Sequence, residues 1–275
     1  QDRRQGGIEV SAPVIINFGG GTNSTALLIG YVERGLPITG VVFADPGSEM
    51  PHTYENVAFM SKWLEDRGYP GIAVVRNQRK DGIKSLEERC EVRRDLPSIA
   101  YGFKTCSAVW KRDPCHKWAR GLEVYDTWWK DGGRVVKVIG FDADEDGRVA
   151  RAPVQDRWYD YIYPLVDWDW GRQDCVDAIE RAGIPRPGKS SCFFCPSMKV
   201  NEILKLKRQH PDLMKRALAM ERRNQERWDE EGRPTSMKGL GRRFAWKDVV
   251  EADERQGLMF PVIEDDDVPC GCYDG

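Results

Sequence analysis

The sequence predicts an α/β fold: a doubly wound, mostly parallel sheet followed by a helical, cysteine-containing C-terminal extension. Two observations predict it. Short β-branched runs alternate with longer segments whose apolar residues recur at helical spacing. The rhythm strand, helix, strand, helix, strand then calls for helices on both faces of one parallel sheet.

The elements follow in order. Val14 to Phe18 is a compact apolar run that ends abruptly at Gly19-Gly20-Gly21. Ser24 to Glu33 reads as a helix that offers Ala26, Leu27, Ile29 and Tyr31 for burial, and Gly35 closes it. Ile38 to Ala44 is a second strand, stopped by Asp45-Pro46-Gly47. Thr53 to Arg67 is amphipathic, with Val57, Met60, Trp63 and Leu64 at helical spacing, and Ile72 to Val75 is a third strand. Cys90 to Trp129 is less regular, interrupted by Pro97 and Pro114. Val135 to Ile139 reads as another buried strand ending at Gly140, and Asp174 to Ala182 as a helix stopped by Gly183 and Pro185. Val200 to Glu231 reads as helical, with Leu204, Leu213, Leu218 and Trp228 as core candidates, and the tail from Asp265 as irregular. The division expected is 1–199 for the nucleotide-binding domain with the metal-site cysteines and 200–275 for the helical extension and tail.

Composition narrows the class. With 40% hydrophobic and 31% charged residues, the 275-residue chain can bury a sizeable core. No apolar run approaches the roughly 20 residues that cross a bilayer. Gln1 to Glu9 has no apolar core of a signal peptide, so a cytoplasmic protein with no membrane contact is expected. A net charge of -2 argues against dominance by nucleic-acid backbone binding. The Lys- and Arg-rich stretch Lys199 to Lys247 reads as a solvated helix face, with a nucleic-acid contact as the alternative.

The strongest local signal is Phe18-Gly-Gly-Gly-Thr-Asn-Ser-Thr25 between a strand and a helix. Glycines let the backbone approach an anion, and the N–H groups of a helix start point at it. Thr22, Ser24 and Thr25 add hydroxyl donors. A plain tight turn would need only one glycine. A literal Walker A match, Gly183-Ile-Pro-Arg-Pro-Gly-Lys-Ser190, is rejected, because a helix rather than a strand precedes it and two prolines stiffen it. Asp45-Pro-Gly-Ser-Glu-Met-Pro-His-Thr-Tyr54 lies at a strand terminus, where doubly wound sheets bind ligands.

Together these loops resemble the PP-loop family of adenine nucleotide alpha hydrolase-like proteins. Gly19-Gly-Gly-Thr-Asn-Ser24 is similar to that family's Ser-Gly-Gly-x-Asp-Ser loop, with Thr22 and Asn23 where a lysine and aspartate are often seen. Phe43-Ala-Asp-Pro-Gly47 through Pro51-His-Thr-Tyr54 resembles the corresponding segment of phosphoadenylyl-sulfate (PAPS) reductases. Gly140-Phe-Asp-Ala-Asp-Glu145, with Arg148 and Arg151, resembles the family's Gly-x-Arg…Glu-Ser…Arg element. Tyr163-Pro-Leu-Val-Asp-Trp168, followed by Asp174, Val176 and Ile179, resembles its Pro-Leu-x-Asp-Trp element. The resemblance spans roughly Val14 to Lys199. It implies an adenosine held by main chain near Val42 to Asp45 and phosphates on Gly19, Gly20, Gly21, Thr22, Asn23, Ser24 and Thr25. It also implies Mg²⁺ with ATP, and roles for Glu145, Arg148 and Arg151 against a charged part of the ligand.

Eight cysteines in such a chain point to metal or redox chemistry. Cys192-Phe-Phe-Cys195-Pro196 can present two thiolates to one metal. The layout resembles sulfonucleotide reductases that hold a [4Fe–4S] cluster, with Cys106 in place of a cysteine pair. That resemblance implies Cys106, Cys192 and Cys195 as ligands, with Cys115 or Cys90 to complete the set or an iron left open. Zinc on the same cysteines is the alternative. The tail Pro269-Cys270-Gly-Cys272 loosely resembles the reductase tail whose cysteine attacks sulfur, and further metal ligands are the competing reading. Cys175 reads as a small core residue.

The expectation is an enzyme of sulfur metabolism, PAPS reductase-like, acting on ATP or an adenylyl sulfate. A sulfur donor or thiol reductant protein would be its partner. ATP-dependent thiolation of a nucleic acid or small molecule is the alternative within that class. Outside it stands a non-catalytic, metal-stabilised nucleic-acid-binding or interaction protein.

Overall fold

The computed structural model describes residues 11–232 and 239–256, together with the backbone of Arg4–Gln5 and Ile8–Glu9. Five strands form the central sheet: β1 (Val14–Asn17), β2 (Gly40–Ala44), β3 (Ile72–Val75), β4 (Val135–Val138) and β5 (Tyr159–Ile162). All pair in parallel, in the order β3-β2-β1-β4-β5. Every residue of β1 and β2 is buried, as expected where helices cover both faces of a parallel sheet. The chain moves outward from β1 to β3 and then restarts at β4 on the other side of β1. Such a reversal opens a crevice at the carboxyl ends of the central strands.

The helices, in chain order, are α1 (Thr22–Glu33), α2 (Pro51–Glu65), α3 (Leu86–Arg93), α4 (Thr105–Ser107), α5 (Asp113–Arg120) and α6 (Glu123–Lys130). They continue with α7 (Asp146–Val149), α8 (Pro164–Asp167), α9 (Arg172–Arg181), α10 (Val200–Gln209), α11 (Pro211–Glu231) and α12 (Trp246–Gln256). Side chains alternate across the sheet and feed two separate cores. Ile16, Val41 and Phe43 pack with Leu27 of α1, Met60 of α2 and Ile179 of α9. Ile15, Val42 and Ala44 pack with Cys115 and Ala119 of α5 and with Tyr125 and Trp129 of α6. At about 1.5–3 kcal/mol for each large side chain buried, these two faces supply much of the driving force for the fold. A third core joins Leu86, Phe193 and Phe194 to Ile203, Leu206, Met214 and Trp246, so residues on both sides of position 199 share it.

Two sequence expectations are corrected, and one strand is added. The stretch Cys90 to Trp129 is largely helical rather than irregular. A π-helical turn, Ala108–Arg112, runs without a break from α4 into α5, and this wider turn stands directly before Pro114, whose ring and missing N–H do not suit a regular α-helical ladder. The predicted single helix from Val200 to Glu231 breaks at His210, whose φ of -135° and ψ of 63° obey the steric demand of the following Pro211. Strand β5, a Tyr-Asp-Tyr-Ile run at the sheet edge, was not anticipated by hydrophobic pattern.

Helix α1 lies close beside the chain leading to α9. A Cβ placed on Gly30 would stand 2.4 Å from Cζ3 of Trp168, whose ring packs against Trp170 and the Arg34 guanidinium. Gly30→Val should therefore destabilise the protein by about 1–3 kcal/mol through overpacking, more than the few tenths gained in helix propensity. Urea unfolding would measure the loss, and adding Trp168→Ala should recover part of it.

Candidate functional site

The site is built where the chain leaves β1. Gly20 has φ of 82°, in the left-handed region, and a Cβ there would meet Thr53 Cγ2 at 2.8 Å, so only glycine fits. Three side chains hold the loop carbonyls. Ser190 Oγ donates to Gly19 O, Asn56 Nδ2 donates to Gly20 O at 2.9 Å, and Ser24 Oγ donates to Gly21 O at 3.0 Å. In a trans peptide the N–H lies opposite the carbonyl. Each tied carbonyl therefore turns the N–H of the following residue, Gly20, Gly21 or Thr22, away from the side chain that holds it. Helix α1 starts there with Gly21 as N-cap and no side-chain cap, which makes its first turn a ready anion cradle.

Asn23 explains its own departure from aspartate. Its Nδ2 donates to Asp142 Oδ2 at 2.8 Å and Glu145 Oε2 at 3.3 Å, while Arg172 Nη1 donates to its Oδ1 at 2.6 Å. An aspartate would set a third carboxylate against two others. Burial already pushes the Asp142 carboxyl above its ordinary value. Arg172 Nη2 also donates to Thr22 Oγ1 at 3.2 Å, so a guanidinium stands at the rim of the loop.

Asp45, a predicted nucleotide ligand, is held by the protein itself. Its Oδ1 accepts from Gly47 N at 2.6 Å and Tyr54 OH at 2.8 Å, and its Oδ2 accepts from Arg76 Nε at 2.8 Å. These bonds shape the turn that carries Glu49. Arg148 pairs with Glu145 at 2.5 Å, three residues before it, and its guanidinium lies 4.2 Å from the Phe141 ring centroid. The local partner that the sequence did not reveal is thus Glu145. Arg151 is exposed.

The segment after Gly183 returns along the loop following β2. Met50 N donates to Ser191 O at 3.0 Å, Phe193 N donates to Ser48 O at 3.0 Å, and Glu49 bridges Cys192 in antiparallel fashion. His52 Nε2 lies 3.0 Å from Lys189 O, and burial lowers the His52 pKa, so the neutral ring with Nε2–H donating is favoured. This route brings Cys192 and Cys195 beside Cys106 in one open cleft of about 400 Å³, walled by Trp110, Phe194 and Lys111. A second cleft of about 290 Å³ lies against Phe18, Gly19 and the main chain of Val42 to Ala44. Lys111 lines both. Its ammonium pairs at 3.0 Å with the fully buried carboxylate of Glu49.

Cys115 does not share the three-cysteine cleft. It faces the second one and sits in the core beside Ala119, where burial pushes its thiol up to about 11. Cys90 is also buried, its thiol pushed up to about 12 by burial and then by the charge of Asp95. Cys175 is a core residue as expected. Among the described residues no group of three or more His, Cys, Asp or Glu side chains is arranged to hold a metal ion. Cys270 and Cys272 lie outside the described residues.

Much of the basic stretch is compensated: Lys207 and Arg208 pair with Asp253, Arg216 with Glu87, Arg223 with Glu91 and Arg227 with Glu231. No helix of the described residues is long and apolar enough to cross a membrane.

Sequence reasoning missed Asn56, Lys111, Asp142, Arg172 and Ser190. Ser190 ends the rejected Walker-like stretch, and Arg172 precedes the start assigned to its helix. Asn56 and Lys111 gave no signal, because nothing local marks them.

No family model matches the chain. It is 25% identical over 213 residues to the uncharacterized protein MJ0066 of Methanocaldococcus jannaschii, a match covering 74% of this chain. The chain spans about two fifths of that relative's length, 40%. A U34-tRNA thiolase, NcsA from Methanococcus maripaludis with its [4Fe-4S] cluster, superposes with a TM-score of 0.40 and 13% identity, over 91% of this chain and 83% of that one. That likeness is too distant to assign fold or activity.

The cysteine environments predict an order of reactivity. In metal-free protein near neutral pH, Cys106 and Cys192, both half-exposed, should alkylate well before the buried Cys90, Cys115 and Cys175. Timed iodoacetamide labelling read by peptide mass spectrometry checks this, and faster labelling of Cys115 would contradict it.

Proposed function

We propose that this protein is an ATP-dependent sulfur transferase of the PP-loop type. One observation carries the reading: Lys111 forms a common wall between the cleft beside the glycine loop and the cleft lined by Cys106, Cys192 and Cys195. A nucleotide-activated group bound in the first would lie next to sulfur chemistry in the second.

The chain's own residues take distinct parts. The N–H groups of Gly20 to Thr22 and the Arg172 guanidinium bind phosphate oxygens, since arginine holds such groups through paired hydrogen bonds. The Lys111 ammonium, positioned by Glu49, stands where the activated group passes between the clefts and offsets negative charge there. Trp110 and Phe194 keep that passage poor in water. In the reaction proposed, an acceptor oxygen attacks the α-phosphorus of ATP and pyrophosphate leaves. A sulfide-level nucleophile, hydrosulfide from a sulfur donor, then attacks the acceptor carbon, and AMP leaves with the acceptor oxygen. A carbon–oxygen bond is thus exchanged for a carbon–sulfur bond with no change of oxidation state. Mg²⁺ would arrive on the ATP phosphates.

Cys106, Cys192 and Cys195 are not arranged around a single metal ion, but they line one cavity as a soft donor set that suits an iron–sulfur cluster better than a hard ion. Cys106, Cys192 and Cys195 would hold a [4Fe–4S] cluster, which when bound would supply an iron with room for a sulfur ligand.

Two measurements test the proposal. Anaerobically purified protein should contain iron and sulfide, absorb broadly in the visible, and lose iron on Cys192→Ser. Colourless protein with stoichiometric zinc would refute the cluster. In calorimetry, Arg172→Gln should weaken ATP binding by about 1.5–3 kcal/mol, the worth of a hydrogen bond to a charged group. A folded Arg172→Gln variant with unchanged ATP affinity would remove Arg172 from the site, and wild-type protein that binds no ATP would refute the nucleotide reading.

A further inference from the structure

The turn after β2 that Asp45 shapes also carries Ser48, which is 3% exposed and does not line the cysteine cleft. Main-chain bonds fix it against the returning segment. Phe193 N donates to Ser48 O at 3.0 Å, and Met50 N donates to Ser191 O at 3.0 Å. Between those bonds the Ser48 hydroxyl stands beside the Cys192 thiol, with Oγ 3.9 Å from Sγ. A hydroxyl has one proton to give, and two acceptors are in reach. Pro46 O lies 3.4 Å from Oγ but already accepts from Leu86 N at 2.9 Å. The proton is therefore available to the sulfur.

We propose that Ser48 is a positioning residue for the cysteine-held cluster, its hydroxyl donating to the Cys192 sulfur and drawing charge from it. The inference rests on the cluster reading above. A neutral thiol is a weak acceptor, which suits the length of the contact. A thiolate bound to iron carries charge, and hydrogen bonds to charged acceptors are shorter and about twice as strong. The contact therefore tightens when metal is held. Burial of Ser48 keeps water from taking the proton instead. Charge drawn from a ligand sulfur favours the electron-richer state of a cluster, so the bond raises its reduction potential and loosens the grip of Cys192 on iron. Ser48 does this without touching the reacting groups, acting only through Cys192.

The test purifies the wild-type chain, Ser48→Ala and Ser48→Thr anaerobically, with iron and sulfide analysis and a thermal melt on each. Stepwise reduction is then followed by visible absorbance. At the potential where half of the wild-type cluster is reduced, Ser48→Ala should hold about fivefold more oxidised than reduced cluster. Its iron–cysteine stretching band in the resonance Raman spectrum should move to higher frequency, because a thiolate freed of the hydrogen bond binds iron more strongly. Ser48→Thr keeps the hydroxyl and should restore both values. Should threonine disturb the turn, the shift of the wild-type band in D₂O, reduced in Ser48→Ala, reports the same proton. A folded Ser48→Ala variant with full iron, the wild-type potential and an unmoved band overturns the role of Ser48 and leaves the cluster standing. Wild-type protein without iron overturns the cluster reading and the inference with it.

Discussion

The site depends on the backbone of Gly20 being pressed against the start of α2. At a Cβ distance of 2.8 Å from Thr53 and with φ positive, the loop can pass there only as glycine. That contact puts Gly20 O within reach of Asn56, whose amide also reaches Thr25 Oγ1 at 3.0 Å. One side chain on α2 thereby fixes both the loop and the first turn of α1. Ser190 fastens the carbonyl of Gly19 as well. The orientation of the N–H groups follows from these bonds, so the loop is preformed by the chain's own contacts.

Charge is arranged around the cradle with the same economy. Asn23 sits between two carboxylates and a guanidinium, using its amide to donate to one sign and accept from the other. Asparagine at position 23 is therefore matched to Asp142, Glu145 and Arg172. The Lys111–Glu49 pair is different in kind. Burying both ions costs much of what their attraction returns, so the pair contributes little net stability. Removing either partner would strand the other charge. Its position between two clefts is a better account of its presence.

The cysteines divide by environment. Cys90, Cys115 and Cys175 are packed into cores, where loss of solvent keeps them as thiols. Cys106, Cys192 and Cys195 meet at a cavity because the chain after Gly183 folds back along the loop following β2. The two halves of that cysteine set are far apart in sequence, and only this strand-like return joins them.

Strands β1 to β4, helices α1 and α2, and the glycine loop were legible in the sequence. Each is specified locally: apolar runs, helical spacing and glycine at a forced turn act over a few residues. The local bias was misread only where proline chemistry intervened, at Pro114 and Pro211, and where an edge strand carried too little apolar pattern to register. The side chains that make the loop a cradle were invisible. Asn56, Arg172 and Ser190 act on residues 36, 149 and 171 positions away, and each is an ordinary polar residue in its own neighbourhood. Sequence by itself determined that a strand must end in a glycine turn and that thiols were available. Tertiary structure alone decided which way that turn faces, what charge surrounds it and which cysteines meet, because those outcomes depend on contacts between segments that have no local reason to find one another.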